Sequence, residues 1–151
     1  MEKAKKAVEL FESGYNCSQA IVLAFEDYLN VDRKTLQSLS SSFGGGISRL
    51  REVCGCVSGM AIVMGIIQGD YDVNDNDQKA KHYELIQKLA LKFKEKTNSI
   101  NCAEVLNKVK EVENPDFELA KDNSGESNSY VIKDDNNPRF NENTNGRTFN
   151  G

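Results

Sequence analysis

The sequence has 151 residues, of which 38% are hydrophobic and 28% charged, and its formal net charge is −4. This length predicts a single domain with a modest core. Proteins that bind nucleic acid through phosphate contacts are usually basic, so we expect no nucleic-acid partner. The most apolar run, residues 57–67, is shorter than the roughly 20 residues that cross a bilayer. Because the charged first residues also lack the pattern of a secretory signal, we expect a cytoplasmic protein with no membrane insertion.

The first 46 residues contain three stretches with helical periodicity. Apolar side chains recur every three to four positions in residues 4–11, and Gly14 predicts the end of this helix. A second helix is predicted over residues 17–29. A third begins at Asp32, a common capping residue, and ends before the triple glycine of residues 44–46, which cannot easily continue it.

The most hydrophobic helix is predicted over residues 48–69, where apolar side chains occur on every side. Such a helix belongs in the centre of a bundle. The alternative is a short buried strand, because isoleucine and valine favour strands, although alanine, methionine and glycine weaken that signal. Gly59 and Gly65 predict that a neighbouring helix approaches this one closely.

Two further helices are predicted over residues 77–97 and 102–112, and Pro115 ends the last one. Residues 114–151 are rich in polar side chains and show no periodicity, so we expect a disordered tail. The sequence therefore predicts an all-α fold. Its helical, cysteine-containing domain, residues 1–113, is expected to form a compact antiparallel bundle around the central apolar helix.

Two of the four cysteines occupy matching positions at predicted helix starts. Asn16-Cys17-Ser18-Gln19 and Asn101-Cys102-Ala103-Glu104 both resemble a capping box, which makes each cysteine the first helical residue. Free backbone N–H groups and the helix dipole favour a thiolate at this position, so Cys17 and Cys102 are candidates for a lowered pKa. The alternative is that a small apolar residue suits a buried helix start.

The other two cysteines form the segment Cys54-Gly55-Cys56. Residues two apart on a regular helix point about 200° apart, so both thiols can face one site only if the backbone turns here. Gly55 predicts such a turn, after which the pair could chelate a metal or form a strained, easily reduced disulfide. Alternatively, one of the two is a core residue. We interpret residues 44–46 as a tight turn that lets the chain approach the cysteine site closely, because they lack the features of a phosphate-binding loop.

Four segments of the sequence resemble, in order and spacing, the signatures of a known family. They are Gly14-Tyr15-Asn16-Cys17-Ser18-Gln19-Ala20, Phe43-Gly44-Gly45-Gly46, Glu52-Val53-Cys54-Gly55-Cys56-Val57-Ser58-Gly59 and Ser99-Ile100-Asn101-Cys102. The family is that of redox-active proteins named for the cysteine pattern C-GCAxxG-C-C, and the resemblance spans about residues 7–106. It implies a small helical prokaryotic protein with cysteine-based redox or metal chemistry.

The resemblance places Cys17, Cys54 and Cys102 at family cysteine positions. The family pattern continues with a further cysteine in a C-terminal segment, whereas this sequence has none after Cys102. Cys56 is then either the substitute fourth thiol or an incidental replacement of a small residue.

The sequence leaves three functions open. In the first, Cys17, Cys54 and Cys102 carry out thiol–disulfide or electron-transfer chemistry with a redox partner or a small-molecule electron carrier. In the second, zinc, iron or an iron–sulfur cluster is bound by Cys17, Cys54, Cys56 and Cys102. In the third, the domain is a helical interaction module whose cysteines are small core residues. Both chemical functions require the cysteines to converge in space. Whether the protein is an enzyme, and whether it forms a homo-oligomer, stays open at this level.

Overall fold

The computed structural model of the protein describes residues 2–111, and this part of the chain is all-α, as predicted. The helices among these residues are α1 (Glu2–Glu12), α2 (Cys17–Ala24), α3 (Glu26–Leu29), α4 (Arg33–Ser40), α5 (Gly55–Gln68), α6 (Asn76–Thr97) and α7 (Cys102–Glu111), with a 3₁₀ turn at Ser41–Phe43. None of these helices is long and apolar enough to cross a membrane. The predicted tail, residues 114–151, lies outside the described residues.

The hydrophobic core is built around α2. Val22 and Leu23 of this helix are buried together with Leu36 of α4 and Val63 of α5. Because α2 packs against α1, α4 and α5, neighbouring helices fix the position and direction of its first residue, Cys17.

The helix predicted over residues 17–29 is divided at Phe25, so that prediction was wrong in its length. Phe25 has φ −102° and ψ 7°, which interrupts α2, and α3 follows with Glu26. Tertiary packing overrides the helical periodicity here, because Phe25 packs against the core while Leu29, in the next turn, is 4% exposed.

The central apolar helix begins at Gly55, so residues 48–54 of the stretch predicted as helical are excluded from it, while the turn predicted at Gly55 does lie at its start. Left-handed backbone conformations at several residues between Gly44 and Cys54 prevent an earlier start. Gly59 does permit a close approach, since a β-carbon there would lie 3.0 Å from Ile21 Cβ on α2. The same expectation for Gly65 was wrong, because nothing lies within 4 Å of the corresponding position.

The apolar pattern overstated how completely α5 is buried. Val57 and Val63 are buried, and Val63 packs in the core with Val22 and Leu23 of α2, but Ile67 is 47% exposed. The helix packs against α2 on one side and α6 on another, which leaves part of its surface open within the described chain.

The remaining predicted helix boundaries agree with the structure to within a few residues. Asp32 accepts a hydrogen bond from the Thr35 N–H at the start of α4, as expected for a cap. Asp75 caps α6 through the backbone N–H groups of Asp77 and Gln78. The start of α7 at Cys102 is confirmed.

Candidate functional site

Three helix starts that carry cysteines surround the candidate site. Cys17 is the first residue of α2, Cys102 is the first residue of α7, and Cys54 precedes α5 as its cap residue. An isolated antiparallel β-bridge between Val53 and Asn101 joins the start of α5 to the start of α7.

Two backbone hydrogen bonds flank this bridge and hold the cysteines on either side of it. The Cys54 N–H donates to the Ile100 carbonyl at 2.7 Å, and the Cys102 N–H donates to the Glu52 carbonyl at 2.6 Å. The bridge therefore fixes the start of α7 beside the start of α5.

The start of α2 is held by a complete capping box, as predicted. The Asn16 side-chain oxygen accepts the Gln19 N–H at 2.9 Å, and the Gln19 side chain accepts the Asn16 N–H at 3.1 Å. At α7 the corresponding cap is Asn101, whose side-chain oxygen accepts the Glu104 N–H at 3.2 Å.

The triple glycine forms the tight turn predicted from the sequence and lies against two of the helix starts. A β-carbon on Gly44 would fall on the side chain of Asn16, and one on Gly46 would lie 2.6 Å from Cys102 Cβ. Gly45 and Gly46 have φ values of 68° and 72°, which residues other than glycine rarely adopt. Close approach and backbone conformation together require glycine here.

The thiol of Cys56 donates hydrogen bonds to Cys17 and Cys54, and this is the main interaction within the site. It is the largest cause of the lowered pKa of Cys17, which falls from 9.0 to about 6. Burial opposes this shift, while backbone N–H groups of Gly45, Ser18 and Cys17 itself lower the pKa further. Cys17 is partly exposed, so a thiolate at this position is open to reaction.

The other two thiols of this group differ in the direction of their pKa shifts. The hydrogen bond from Cys56, followed by backbone N–H groups, lowers the pKa of Cys54. Donation to both neighbours, together with burial, raises the pKa of Cys56 well above 9.0. Hydrogen bonding thus favours a protonated Cys56 between two sulfurs that tend to ionise.

The predicted backbone turn at Gly55 explains how both members of the pair reach one site. Cys54 lies outside the regular helix as its cap, and Cys56 lies in the first turn, so the angular separation expected within a helix does not apply. Gly55 leaves room for the third thiol, because a β-carbon there would fall on the Cys17 sulfur. We call Cys17, Cys54 and Cys56 the thiol triad.

Cys102 lies beside the thiol triad in a different environment. It is 6% exposed, and Arg51, itself 4% exposed, approaches its sulfur with Nη1 at 3.8 Å. Burial is the main cause of its raised pKa, which the guanidinium only partly offsets. The lowered pKa that its helix position suggested was therefore wrong. Nothing in the sequence pattern had indicated that Arg51 would lie against the Cys102 sulfur.

The described residues do not fit the predicted metal site. Among residues 2–111, no three histidine, cysteine, aspartate or glutamate side chains are grouped so that they could hold a metal ion. A four-thiolate site would also require Cys102, whose sulfur contacts Arg51. Ligation of zinc, iron or an iron–sulfur cluster by the four cysteines remains a prediction from the sequence.

A protein-family model matches the part of the chain that carries these cysteines. The family model described as "Putative redox-active protein (C_GCAxxG_C_C)" matches residues 15–132, which include all four cysteines and the triple glycine. Searches of curated proteins and of solved structures return no match. Because the family model covers more than half of the sequence, the chain belongs to the C-GCAxxG-C-C family, which is described as redox-active.

Proposed function

We propose that the protein carries out thiol–disulfide exchange, with Cys17 as the attacking thiolate and Cys56 as the resolving thiol. The observation that carries this proposal is the hydrogen bond from the Cys56 thiol to the partly exposed Cys17 sulfur, at a helix start with further backbone donors. The family description supports the same class of chemistry. The third function, an interaction module with independent core cysteines, is disfavoured because these thiols interact directly.

In the first step, the Cys17 thiolate attacks one sulfur of a substrate disulfide, R–S–S–R. The substrate S–S bond breaks, a mixed disulfide forms between Cys17 and R–S, and one R–S⁻ leaves with the electron pair. With its pKa at about 6, Cys17 is mostly ionised at neutral pH, whereas an ordinary cysteine with a pKa of about 8.5 is only a few per cent ionised. Since nucleophilicity falls with pKa, the gain in rate is smaller than this ratio.

In the second step, Cys56 must lose its proton before it attacks. Cys54 accepts the hydrogen bond from Cys56, so the thiolate form of Cys54 is placed to take that proton. The Cys56 thiolate then attacks the Cys17 sulfur, the mixed disulfide breaks, and the second R–S⁻ leaves. In the balanced reaction, Cys17 and Cys56 are oxidised to a disulfide and the substrate disulfide is reduced to two thiols, which take one proton from Cys54 and one from water.

Disulfide mapping tests this proposal. The reduced 151-residue chain is mixed with glutathione disulfide, quenched in acid and digested with trypsin, which separates Cys17 in residues 7–33 from Cys54 and Cys56 in residues 52–79. We expect these two peptides to become linked, and fragmentation to assign the link to Cys56.

Single variants distinguish the roles of the thiols. Cys17→Ser should abolish the link, whereas the control variant Cys102→Ser should retain it. Cys56→Ser should trap the mixed disulfide of glutathione at Cys17. A Cys17 that forms no mixed disulfide, or a Cys56→Ser protein that closes a disulfide at the wild-type rate, would contradict the proposal.

A further inference from the structure

A second unusual feature of the site is a run of left-handed backbone residues. We call residues 44–51 the glycine loop. The values of φ are 68° at Gly45, 72° at Gly46, 62° at Ile47, 47° at Ser48 and 69° at Arg49. Arg51 follows with 63°. Residues other than glycine are disfavoured in this conformation, and a β-branched side chain such as that of Ile47 is especially so. The loop therefore holds strain that its contacts must offset.

Contacts with the cysteine-bearing helix starts hold the loop in place. The Gly45 N–H donates to the Cys17 sulfur, Gly44 packs on Asn16, and Gly46 packs on Cys102. Every one of these contacts joins the strained loop to a residue at or next to a cysteine. A chemical change at Cys17 or Cys102 therefore acts directly on contacts that hold the loop.

Hydrogen bonds within the loop depend on the same conformation. The N–H groups of Arg49, Arg51 and Glu52 donate to the carbonyls of Gly44, Gly45 and Gly46, respectively, at distances of 3.2, 3.1 and 3.0 Å. If the loop leaves its left-handed conformation, these three N–H groups lose their partners. They therefore report on loop opening.

We propose that the glycine loop is a redox-sensitive clamp, closed while Cys17 is a thiolate and loosened when Cys17 is oxidised to a disulfide. Its trigger rests on the proposed function, since the oxidant is the substrate disulfide and the electrons come from Cys17 and Cys56. A thiolate is a strong acceptor for the Gly45 N–H, whereas a disulfide sulfur is a neutral and weak one. Once this charge-assisted bond is lost, the strain at Ile47 and its neighbours favours an open loop.

With such a clamp, the reduced and oxidised proteins would differ in the exposed surface of the glycine loop as well as in the state of their thiols. Ile47 and Ser48 are exposed on the loop beside the thiol triad. A partner that delivers a disulfide would meet the closed loop, and a partner that reduces the protein would meet the open one. The difference would allow the two partners to be distinguished.

Hydrogen–deuterium exchange of the 151-residue chain tests the clamp. The fully reduced protein is compared with protein oxidised by glutathione disulfide, and peptides covering residues 44–53 are followed. We expect about tenfold faster exchange of these peptides after oxidation. This is the lower end of the change in exchange rate expected when a hydrogen bond to a charged group is lost. Peptides within α6 serve as an internal reference and should not change. Equal exchange of the loop in protein that mass spectrometry shows to be oxidised would overturn the inference while leaving the proposed function intact.

A variant tests the clamp without any oxidation. Cys17→Ser replaces the thiolate by a neutral hydroxyl of similar shape, so we expect loop exchange to be fast even under reducing conditions. Loop exchange as slow as in the reduced wild-type protein would overturn the inference, whether or not the proposed reaction occurs.

The role of strain is tested with a matched pair of substitutions. Ile47 and Val53 are both β-branched and 39% exposed, but only Ile47 has a left-handed backbone. Ile47→Asn introduces a residue that tolerates this conformation, so it should reduce the difference in exchange between the redox states, whereas Val53→Asn should preserve it. Equal effects of the two substitutions would show that strain at Ile47 does not drive the opening.

Discussion

Gly55 is the residue whose substitution most sharply tests how the thiol triad is packed. A β-carbon at this position would fall on the Cys17 sulfur and would lie 2.9 Å from the Phe43 carbonyl oxygen and 3.3 Å from the Ser18 nitrogen. Two of these three atoms belong to the backbone, so Gly55→Ala cannot be accommodated by rotating a side chain. We expect Cys17 to be displaced and the start of α5 to shift away from α2.

The expected loss of stability in Gly55→Ala follows from the same geometry, and Gly65 in the same helix provides a control position. Overpacking by one methyl group at a tight site destabilises a protein by about 1–3 kcal/mol. At Gly65, nothing lies within 4 Å of the added carbon. Gly65→Ala should therefore stabilise the protein by up to about 1 kcal/mol, the helix-propensity difference between glycine and alanine. The two variants should differ by about 1–4 kcal/mol in the free energy of unfolding.

Thermal unfolding followed by circular dichroism measures this difference. For a domain of roughly 110 residues, 1 kcal/mol shifts Tm by about 4 °C, so Gly55→Ala should melt at least about 4 °C below Gly65→Ala. Equal melting temperatures for the two alanine variants would refute the packing of Cys17 against Gly55.

Three further predictions follow from the hydrogen bonds at the site. Cys56→Ala removes the largest cause of the lowered pKa of Cys17. The pH midpoint of Cys17 alkylation should therefore rise from about 6 towards 9.0. An unchanged midpoint would contradict the assignment of Cys56 as the hydrogen-bond donor to Cys17. Because the folded-state pKa of Cys17 is depressed, its contribution to stability is present above the unfolded-state pKa and lost as pH falls through about 6. Denaturant titrations should therefore show the stability difference between wild type and Cys17→Ser growing as pH rises from about 6 to 9.0. A constant difference would argue against a stabilised thiolate at Cys17. Asn16→Ala removes the side-chain oxygen that accepts the Gln19 N–H in the capping box and should lower the free energy of unfolding by about 1 kcal/mol in urea titrations, unlike an alanine at the exposed Ser38 in α4.

The sequence was most informative about features that depend on local interactions. Asn16 and Gln19 predicted a capping box that the structure confirms, and Asp32 predicted the start of α4. The glycine pattern of Gly44-Gly45-Gly46 predicted the tight turn that packs on Asn16 and Cys102. Such features could be predicted because each is determined by residues a few positions apart.

Features that depend on tertiary contacts were harder to predict. The matching sequence contexts of Cys17 and Cys102 suggested two similar thiols, yet their pKa values shift in opposite directions. The difference arises from the Cys56 thiol beside Cys17 and from the burial of Cys102 against Arg51, and neither neighbour is adjacent in sequence. The interruption at Phe25 has the same origin, because core packing overrides a continuous helical pattern.

The pH dependence of Cys17 alkylation tests the central claim of this account most directly. The reduced 151-residue chain is treated with iodoacetamide across a pH series, and the tryptic peptide of residues 7–33, which contains Cys17 alone, is quantified by mass spectrometry. The hydrogen-bonded thiol triad predicts a midpoint near pH 6. A midpoint near the ordinary cysteine value of about 8.5 would contradict it, because Cys17 would then have no stabilised thiolate with which to begin the reaction.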